Sequence, residues 1–261
     1  MHNEHLAADD APFTTWHVQD VTVADAVFVG EYGLFRGVGL SLTSFYRRVA
    51  TRIRFEDEER RPIVLPEGNI HHRNETLTGP GDAWAMVVAG GRTGEWSVAG
   101  RAGVSVPLGR TEENPFELAR QGLSHQHIQF GTGTWDPLLG ASVGRAFGGT
   151  TLVASGLARF VVSENGHGYR AGHRYHASLV ADRRLAGNWR VQAGLDLARE
   201  EAERWDGVIE EEGNLGRTDL LAGVGLVRQF PPAGALSLQV KVPILTRAVA
   251  AQVDYPLIVV L

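Results

Sequence analysis

Cysteine is absent from the 261 residues, so the chain has no disulfide framework and no thiolate chemistry. Long apolar runs are absent as well: no stretch approaches the roughly 20 residues that a membrane-spanning helix requires. The mean hydropathy is −0.12. An excess of positive charge is also lacking, because the formal net charge is −5. These absences exclude helical membrane insertion and leave a general nucleic-acid-binding role without electrostatic support.

What the sequence does contain is alternation. In residues 189–199 every second residue from Trp189 to Leu197 is apolar, and the residues between them are charged, polar or glycine. Successive side chains of a β-strand point to opposite faces, so this segment is predicted to be a strand with one apolar and one polar face. Residues 169–183 repeat the pattern, and residues 185–188 would form a tight turn with Gly187 at a positive φ. A hairpin with one charged face and one aromatic-tipped apolar face is typical of a transmembrane β-barrel.

The same pattern recurs along nearly the whole chain. The connections alternate between tight turns and long loops, the longest at 56–81, 108–134 and 200–216. Short turns at one end and longer loops at the other are typical of an outer-membrane barrel. The predicted strands lie at residues 17–32, 37–55, 82–90, 95–107, 135–147, 150–162, 169–183, 188–199, 217–230, 235–245 and 252–261.

We therefore predict an all-β fold, an antiparallel up-and-down transmembrane β-barrel of about 11–12 strands. It would span residues 17–261, with residues 1–16 as an N-terminal tail. The alternative is a soluble β-sandwich or lipocalin-like barrel, whose apolar face would point inward. Aromatic rings collect at membrane interfaces, so aromatic residues near strand ends favour the membrane barrel. These residues are Trp84, Trp96, Trp135, Tyr169 and Trp189.

The second predicted strand contains an irregularity. Its apolar residues change parity near Arg47 and Arg48, from Leu40 and Leu42 to Val49. A β-bulge, or a strand that continues beyond the bilayer, would account for the change.

The predicted strand count is odd, whereas bacterial single-chain barrels nearly always have an even number, with both termini at the short-turn end. The first predicted strand begins at the long-loop end, so one strand is expected to be missing before His17. Residues 1–11 also have neither the basic nor the apolar region of a secretory signal, which a barrel bound for an outer membrane needs. We expect either a mature form or a true start upstream.

Residues 127–147, HIQFGTGTWDPLLGASVGRAF, resemble the GTG-x-x-DP segment of the outer-membrane proteins grouped as "MetA pathway of phenol degradation" barrels. The preceding VSVPLGRTEENP resembles that family's strand with a Pro-x-Gly step before a long loop, and DYPLIVVL resembles its closing strand. The chain departs from the usual barrel ending, because its last residue is Leu261 and not an aromatic residue. The resemblance implies a barrel in the bacterial outer membrane that transports small molecules, and it carries over no binding residue.

Charged residues on the polar strand faces are candidates for lining a pore. Rings of charge set the selectivity of pores, and a cationic wall favours anions. The alternative is that arginines and acids pair with one another and fill a narrow barrel. Arg48, Arg52 and Arg54 are also assigned to the polar face, and the selectivity candidates are Arg101, Arg159, Arg174, Arg190, Asp196 and Lys241.

Histidines concentrate in the predicted long loops. Imidazole groups beside carboxylates suit Zn²⁺, Cu²⁺ or Ni²⁺, so a divalent transition metal is the one cofactor that the sequence suggests. No fixed ligand spacing such as HExxH is present, and histidine is also a common polar loop residue. The candidate metal ligands are His71, His72, His125 and His127.

Two other loops contain residues with possible functional chemistry. The acidic segment 200–212 is predicted to be a solvated, partly disordered surface loop, with divalent-cation bridging to lipid headgroups as the alternative. Ser163, Glu164 and His167 place a serine, an acid and a histidine in one loop, but catalytic triads are assembled from distant segments. We therefore predict a small-molecule transporter or porin and no enzyme. Its expected partners are outer-membrane lipid and a small solute, without nucleic acid, and its oligomeric state is left open. A histidine-rich metal-binding surface protein is the alternative, and a barrel hydrolase is less favoured.

Overall fold

A computed structural model describes residues 2–7, for the backbone alone, together with residues 15–64, 73–231, 234–249 and 256–261. Almost all regular structure in these ranges is β. The elements are β1 (His2–Ala7), β2 (Thr15–Phe35), β3 (Val38–Glu56), β4 (Pro62–Ile63), β5 (Glu75–Pro80), β6 (Ala83–Thr93), β7 (Trp96–Val106), α1 (Pro115–Arg120), β8 (Asp136–Phe147), β9 (Thr150–Arg159), β10 (Tyr169–Arg170), β11 (Arg174–Arg184), β12 (Trp189–Glu200), β13 (Arg204–Trp205), β14 (Arg217–Phe230), β15 (Gly234–Ala248) and β16 (Ile258–Val260).

The main sheet has 14 strands in the order β1-β2-β3-β6-β7-β8-β9-β11-β12-β14-β15-β16, with β4 and β5 also paired to β3. Every pair is antiparallel, and the sheet curls into a half-barrel. The predicted all-β, sequentially connected fold is confirmed. The predicted turn at residues 185–188 is confirmed too: Gly187 has φ 65°, which a glycine adopts without steric cost.

No helix among the described residues is long and apolar enough to cross a membrane.

The sheet has two chemically distinct faces. On the outer face, apolar side chains are exposed, for example Val98 (56%) and Leu236 (63%). On the inner face, charged side chains are buried: Asp182 accepts from Arg190 on the neighbouring strand, and Asp196 pairs with Lys241 two strands away. A soluble barrel would have the opposite arrangement, so the predicted orientation, with apolar residues outside, is confirmed.

Two of the five aromatic residues assigned to the membrane interfaces lie elsewhere. Trp96, Trp135 and Trp189 are on the outer face and exposed. Trp84 instead lies on the inner face, where its ring contacts Phe45 with centroids 4.9 Å apart. Tyr169 is buried against Trp205, with centroids 4.7 Å apart. Both interface assignments were wrong. Trp84 has the parity of the inner face, and Tyr169 packs against Trp205 at the long-loop end, so both rings contact protein.

The parity change in β3 comes from strand length. The register between β2 and β3 is continuous from Trp16↔Glu56 to Gly33↔Gly39, so there is no bulge near Arg47. Beyond that point the inner face becomes apolar because Val49 packs with Val21 and Phe130, a residue of the long loop 108–134.

This continuous register corrects the placement of three arginines. Arg48, Arg52 and Arg54 share the outward parity of Leu40 and Leu42, so they face outward and do not line the interior.

The N-terminal segment also differs from prediction. The backbone of β1 pairs with β2 from His2↔Asp20 to Ala7↔Thr15, where residues 1–16 were expected to be a tail. The sequence HNEHLA lacks the alternation of the other strands, so its pairing could not be read from its own residues.

The long-loop end is folded. Phe116 of α1 packs with Val161, Tyr169, Ala171 and Trp205 in a small apolar cluster. The short strands β10 and β13 pair beside it. The acidic segment 200–212, predicted to be solvated and partly disordered, therefore contributes a core residue, because Trp205 is 2% exposed.

Candidate functional site

The inner face of β11, β12, β14 and β15 carries a continuous polar network. Arg190 donates to Asp182 through Nε at 2.8 Å and through a second, shorter bond. Gln192 donates to the same carboxylate at 2.8 Å, and Gln239 donates to Gln192 at 2.9 Å. Gly225 lies between the two glutamines in register, and a Cβ there would lie only 2.7 Å from the Gln239 side chain. Glycine thus leaves room for long polar side chains to meet across a strand.

A second group surrounds Asp196. Its carboxylate lies 2.8 Å from Lys241 Nζ and 3.3 Å from His176 Nε2. Nearer the long-loop end, Arg174 pairs with Glu200 at 2.8 Å. The acids of this wall are therefore matched by cations, as the alternative of a charge-filled interior predicts.

The glycine-rich segment 131–136 forms a third group with β6 and β9. The Asp82 carboxylate accepts the backbone N–H of Gly109 at 3.1 Å and that of Thr132 at 2.9 Å. A side chain at Gly131 would overlap this carboxylate, which explains the glycine at that position. These bonds hold both ends of the long loop 108–134 against the inner wall.

Asp136 completes this group. The Thr132 hydroxyl oxygen lies 3.1 Å from Asp82 and 2.8 Å from Asp136, and Thr134 donates to Asp136 at 2.7 Å. Arg159 lies 3.7 Å from Asp82 and is 8% exposed. We call Asp82, Thr132, Thr134, Asp136 and Arg159 the loop clasp. Every one of them is buried, so the loop clasp holds the long loop in place.

Arg101 differs from the other selectivity candidates. It lies mid-strand on the inner face of β7, opposite Gly140 of β8, and a Cβ at Gly140 would meet its side chain at 2.9 Å. Within the described part of the chain Arg101 forms no ion pair, whereas Arg159, Arg174, Arg190, Asp196 and Lys241 each have one.

The sequence profile of the family described as "Putative MetA-pathway of phenol degradation" matches residues 29–249, a range that contains the loop clasp and every selectivity candidate. The chain belongs to this family. No curated protein sequence matches it. Among solved structures, the chain is similar to an outer-membrane channel from Pseudomonas putida F1, with a TM-score of 0.56 and 14% identity over 95% of this chain and 86% of that chain. At this identity the likeness shows the fold alone.

The structure places the predicted site residues of this family member in separate groups. Asp196 and Lys241 are in contact, Arg174 lies opposite Arg159 in register, and Arg190 and Arg101 lie in other rows of the inner face. No single ring brings all six together, and their part in selectivity stays a prediction.

Sequence reasoning missed the acids of the loop clasp. Asp82 and Thr132 are 50 positions apart, and nothing in either local sequence indicates their contact. The GTGTWD segment was noticed as a resemblance, so it was the available signal for this group.

The predicted metal ligands are only partly placed. His71 and His72 lie outside the described residues. The rings of His125 and His127 are 5.1 Å apart, His125 Nδ1 is 2.9 Å from the Leu123 carbonyl oxygen, and His127 contacts Phe116. Within the described ranges no group of three or more His, Cys, Asp or Glu residues could hold a metal ion. The metal site stays a prediction.

Proposed function

We propose that the chain is a bacterial outer-membrane channel that passes small solutes along its inner face. The observation that carries the proposal is the division of the sheet into an exposed apolar outer face and a polar inner face. Aromatic residues border the outer face at both ends, with Trp135 at the long-loop end and Trp96 and Trp189 at the short-turn end. Lipid would surround this apolar surface, as in barrels whose aromatic rings lie at the two interfaces.

The small size of the solute follows from how the interior is filled. Long side chains cross the inner face at Arg190, Gln192 and Gln239, and the loop clasp holds the loop 108–134 against the same face. Both reduce the free cross-section. The proposal assigns the chain no catalytic activity.

The selectivity of the channel would come from uncompensated charge. Paired charges largely cancel at the distance of a passing ion, whereas Arg101 has no carboxylate partner within the described residues. A unit charge acts on an ion about 7 Å away in water with about 0.6 kcal/mol, which is roughly a threefold change in local concentration. We therefore propose a preference for small anions. The family's description refers to phenol degradation, so aromatic anions are the first solutes to test.

Conductance of the purified full chain in planar lipid bilayers tests the proposal. We expect discrete single-channel steps and a reversal potential that shows anion preference in a salt gradient. Arg101→Gln should lower the anion-to-cation permeability ratio roughly threefold. Arg145→Gln is the matched control, because Arg145 faces outward over Trp96 and should leave the ratio unchanged.

Two results would contradict the proposal. A folded chain that inserts into the bilayer without any conductance would remove the channel function. An unchanged permeability ratio for Arg101→Gln would remove Arg101 from selectivity.

A further inference from the structure

An outward-facing row of residues crosses β11, β12, β14 and β15 at the long-loop end. Tyr175 lies opposite Arg199, Arg199 opposite Thr218, and Thr218 opposite Arg247. Neighbouring strands are about 4.8 Å apart, so the backbones of Arg199 and Arg247 are about 10 Å apart with a short threonine between them. We call Arg199, Thr218 and Arg247 the arginine row.

The direction of these side chains follows from their neighbours. Asp219 is buried on the inner face and accepts the Thr246 hydroxyl at 2.9 Å. Thr218 and Arg247 are the adjacent residues in their strands, and successive side chains alternate between faces, so both point outward. Arg199 and Arg247 are exposed.

A row of leucines lies directly beneath. Leu197 is opposite Leu220, and Leu220 is opposite Leu245, all with the parity of the arginine row. Leu197 is 43% and Leu245 41% exposed. Two residues along a strand span about 7 Å, so the arginines lie about 7 Å above this apolar surface. This distance of about 7 Å places the arginine side chains at the boundary between the lipid acyl chains, which contact the leucines, and the lipid headgroups.

Neither Arg199 nor Arg247 forms an ion pair within the residues that the structure describes. Glu201 is close to the row, and its carboxylate accepts the Tyr175 hydroxyl at 3.3 Å. At the opposite rim the outward arginines have partners within the protein: Arg145 lies 5.1 Å from the Trp96 ring centre and 3.6 Å from Glu95, and Arg228 lies 4.9 Å from the ring centre of Trp189.

The geometry points to the arginine row as a binding site for the phosphate group of an anionic outer-leaflet lipid. The guanidinium fork matches phosphate oxygens, and two such groups around one threonine hydroxyl supply donors from both sides. The leucine row contacts the acyl chains of the same lipid. This inference rests on the proposed outer-membrane location but not on conductance.

Lipid binding by the purified chain in neutral detergent tests the site. A diphosphorylated glucosamine-based lipid (lipid A) is titrated and bound lipid is counted by native mass spectrometry. Arg199→Ala with Arg247→Ala should weaken binding about 25-fold, from roughly fivefold per arginine at a lipid surface. Arg145→Ala with Arg228→Ala is the matched control, because it removes two outward arginines from the opposite rim and should leave binding unchanged.

Further measurements separate the contribution of charge from that of guanidinium geometry, and lipid binding from phosphate binding. Arg199→Lys with Arg247→Lys keeps the charge but loses the fork, so it should bind with intermediate affinity and also serves if the alanine variant fails to fold. Lipid lacking its phosphates should bind weakly to every variant, and inorganic phosphate at the same concentration should not compete.

The site would be overturned by equal binding of the wild type and the double alanine variant, by equal loss in the control variant, or by full competition from inorganic phosphate. Bilayer conductance of the same alanine variant separates the two proposals. Conductance should persist when lipid binding is lost, so failure of either property leaves the other testable.

Discussion

The two clusters of inward-facing charge differ in how they are satisfied. In the loop clasp, Asp82 and Asp136 share one cation, Arg159, and most of their bonds come from threonine hydroxyls and backbone N–H groups. On the inner face of β11, β12 and β15 each of two acids has its own cation, Asp182 with Arg190 and Asp196 with Lys241, and we call these four residues the lower wall. The loop clasp is buried, whereas the side chains of Arg190 and Lys241 are 30% and 23% exposed.

This difference in burial predicts that the two clusters have different roles, one in stability and one in conduction. A buried charge that loses its partner is left without water or counter-ion, so removing one member costs stability. A charge that borders water is solvated when its partner is removed, so the main effect is on the field that a passing ion meets. Mutations in the loop clasp should therefore lower the free energy of unfolding, and mutations in the lower wall should change ion selectivity.

The largest expected effect is the loss of Asp82. Asp82→Ala removes the acceptor of two backbone N–H groups and leaves Arg159 with Asp136 as its remaining nearby acid, so the free energy of unfolding should fall by about 3–5 kcal/mol. Urea unfolding in lipid vesicles, followed by circular dichroism, measures it. Asp25→Ala is the control, because its pair with Arg47 is partly exposed and worth about 0–1 kcal/mol. Equal losses in both variants would remove the distinction between buried and open pairs.

A smaller effect is expected in the lower wall. Asp196→Asn removes the carboxylate that faces Lys241 and His176, so the interior gains one uncompensated positive charge. The anion-to-cation permeability ratio should rise roughly threefold. Reversal potentials measure it, with Glu95→Gln as the control, because Glu95 is exposed near the short-turn end. A ratio that stays constant would mean that passing ions do not sense the lower wall.

The smallest effect concerns Glu203, a half-buried acid that has no cation at hydrogen-bond distance among the described residues. Burial raises the pKa of Glu203, whose carboxylate accepts from the Trp205 indole and the Asn214 backbone at 3.2 Å each. A raised pKa in the folded state means that its contribution is fully present below the usual glutamate pKa and is lost as pH rises through the raised value. The packing of residues 201–216 should therefore loosen as the pH rises above the usual glutamate pKa.

Glu203→Gln isolates this contribution, because the amide oxygen can still accept from both donors. Hydrogen exchange of residues 201–216, corrected for its intrinsic pH dependence, should be slower in the variant than in the wild type at pH 7. The two should converge in mildly acidic buffer. A variant whose exchange differs equally at both values would show that the effect comes from packing and not from titration.

The sequence predicted the strands and their faces well because both depend on local alternation. In β7 the apolar Trp96 and Val98 alternate with Ser97, and in β15 Leu236 and Leu238 alternate with Ser237, so the pattern is readable without tertiary information. The structure also confirms the order of the strands across the sheet. Strands joined by a short connection usually pair as antiparallel neighbours, so this order follows from the order along the chain.

The loop end could not be predicted in this way. Trp205 is buried through contacts with Tyr169 of β10 and Phe116 of α1, which are distant from it in sequence. The acidic residues of segment 200–212 suggested a solvated loop. Its one aromatic residue, Trp205, is nevertheless buried and holds the segment against the protein. The loop clasp was missed for the same reason, since its bonds join segments about 50 positions apart.

The hairpin of β2 and β3 has 21 and 19 residues, whereas a tilted strand needs about 9–11 to cross the hydrocarbon layer. Nearly half of this ribbon therefore stands clear of the membrane, with Arg48 and Arg52 on its flank. In the proposed orientation, an antibody or a phage approaching the cell would contact this extended part of the β2–β3 hairpin before it reached the pore mouth.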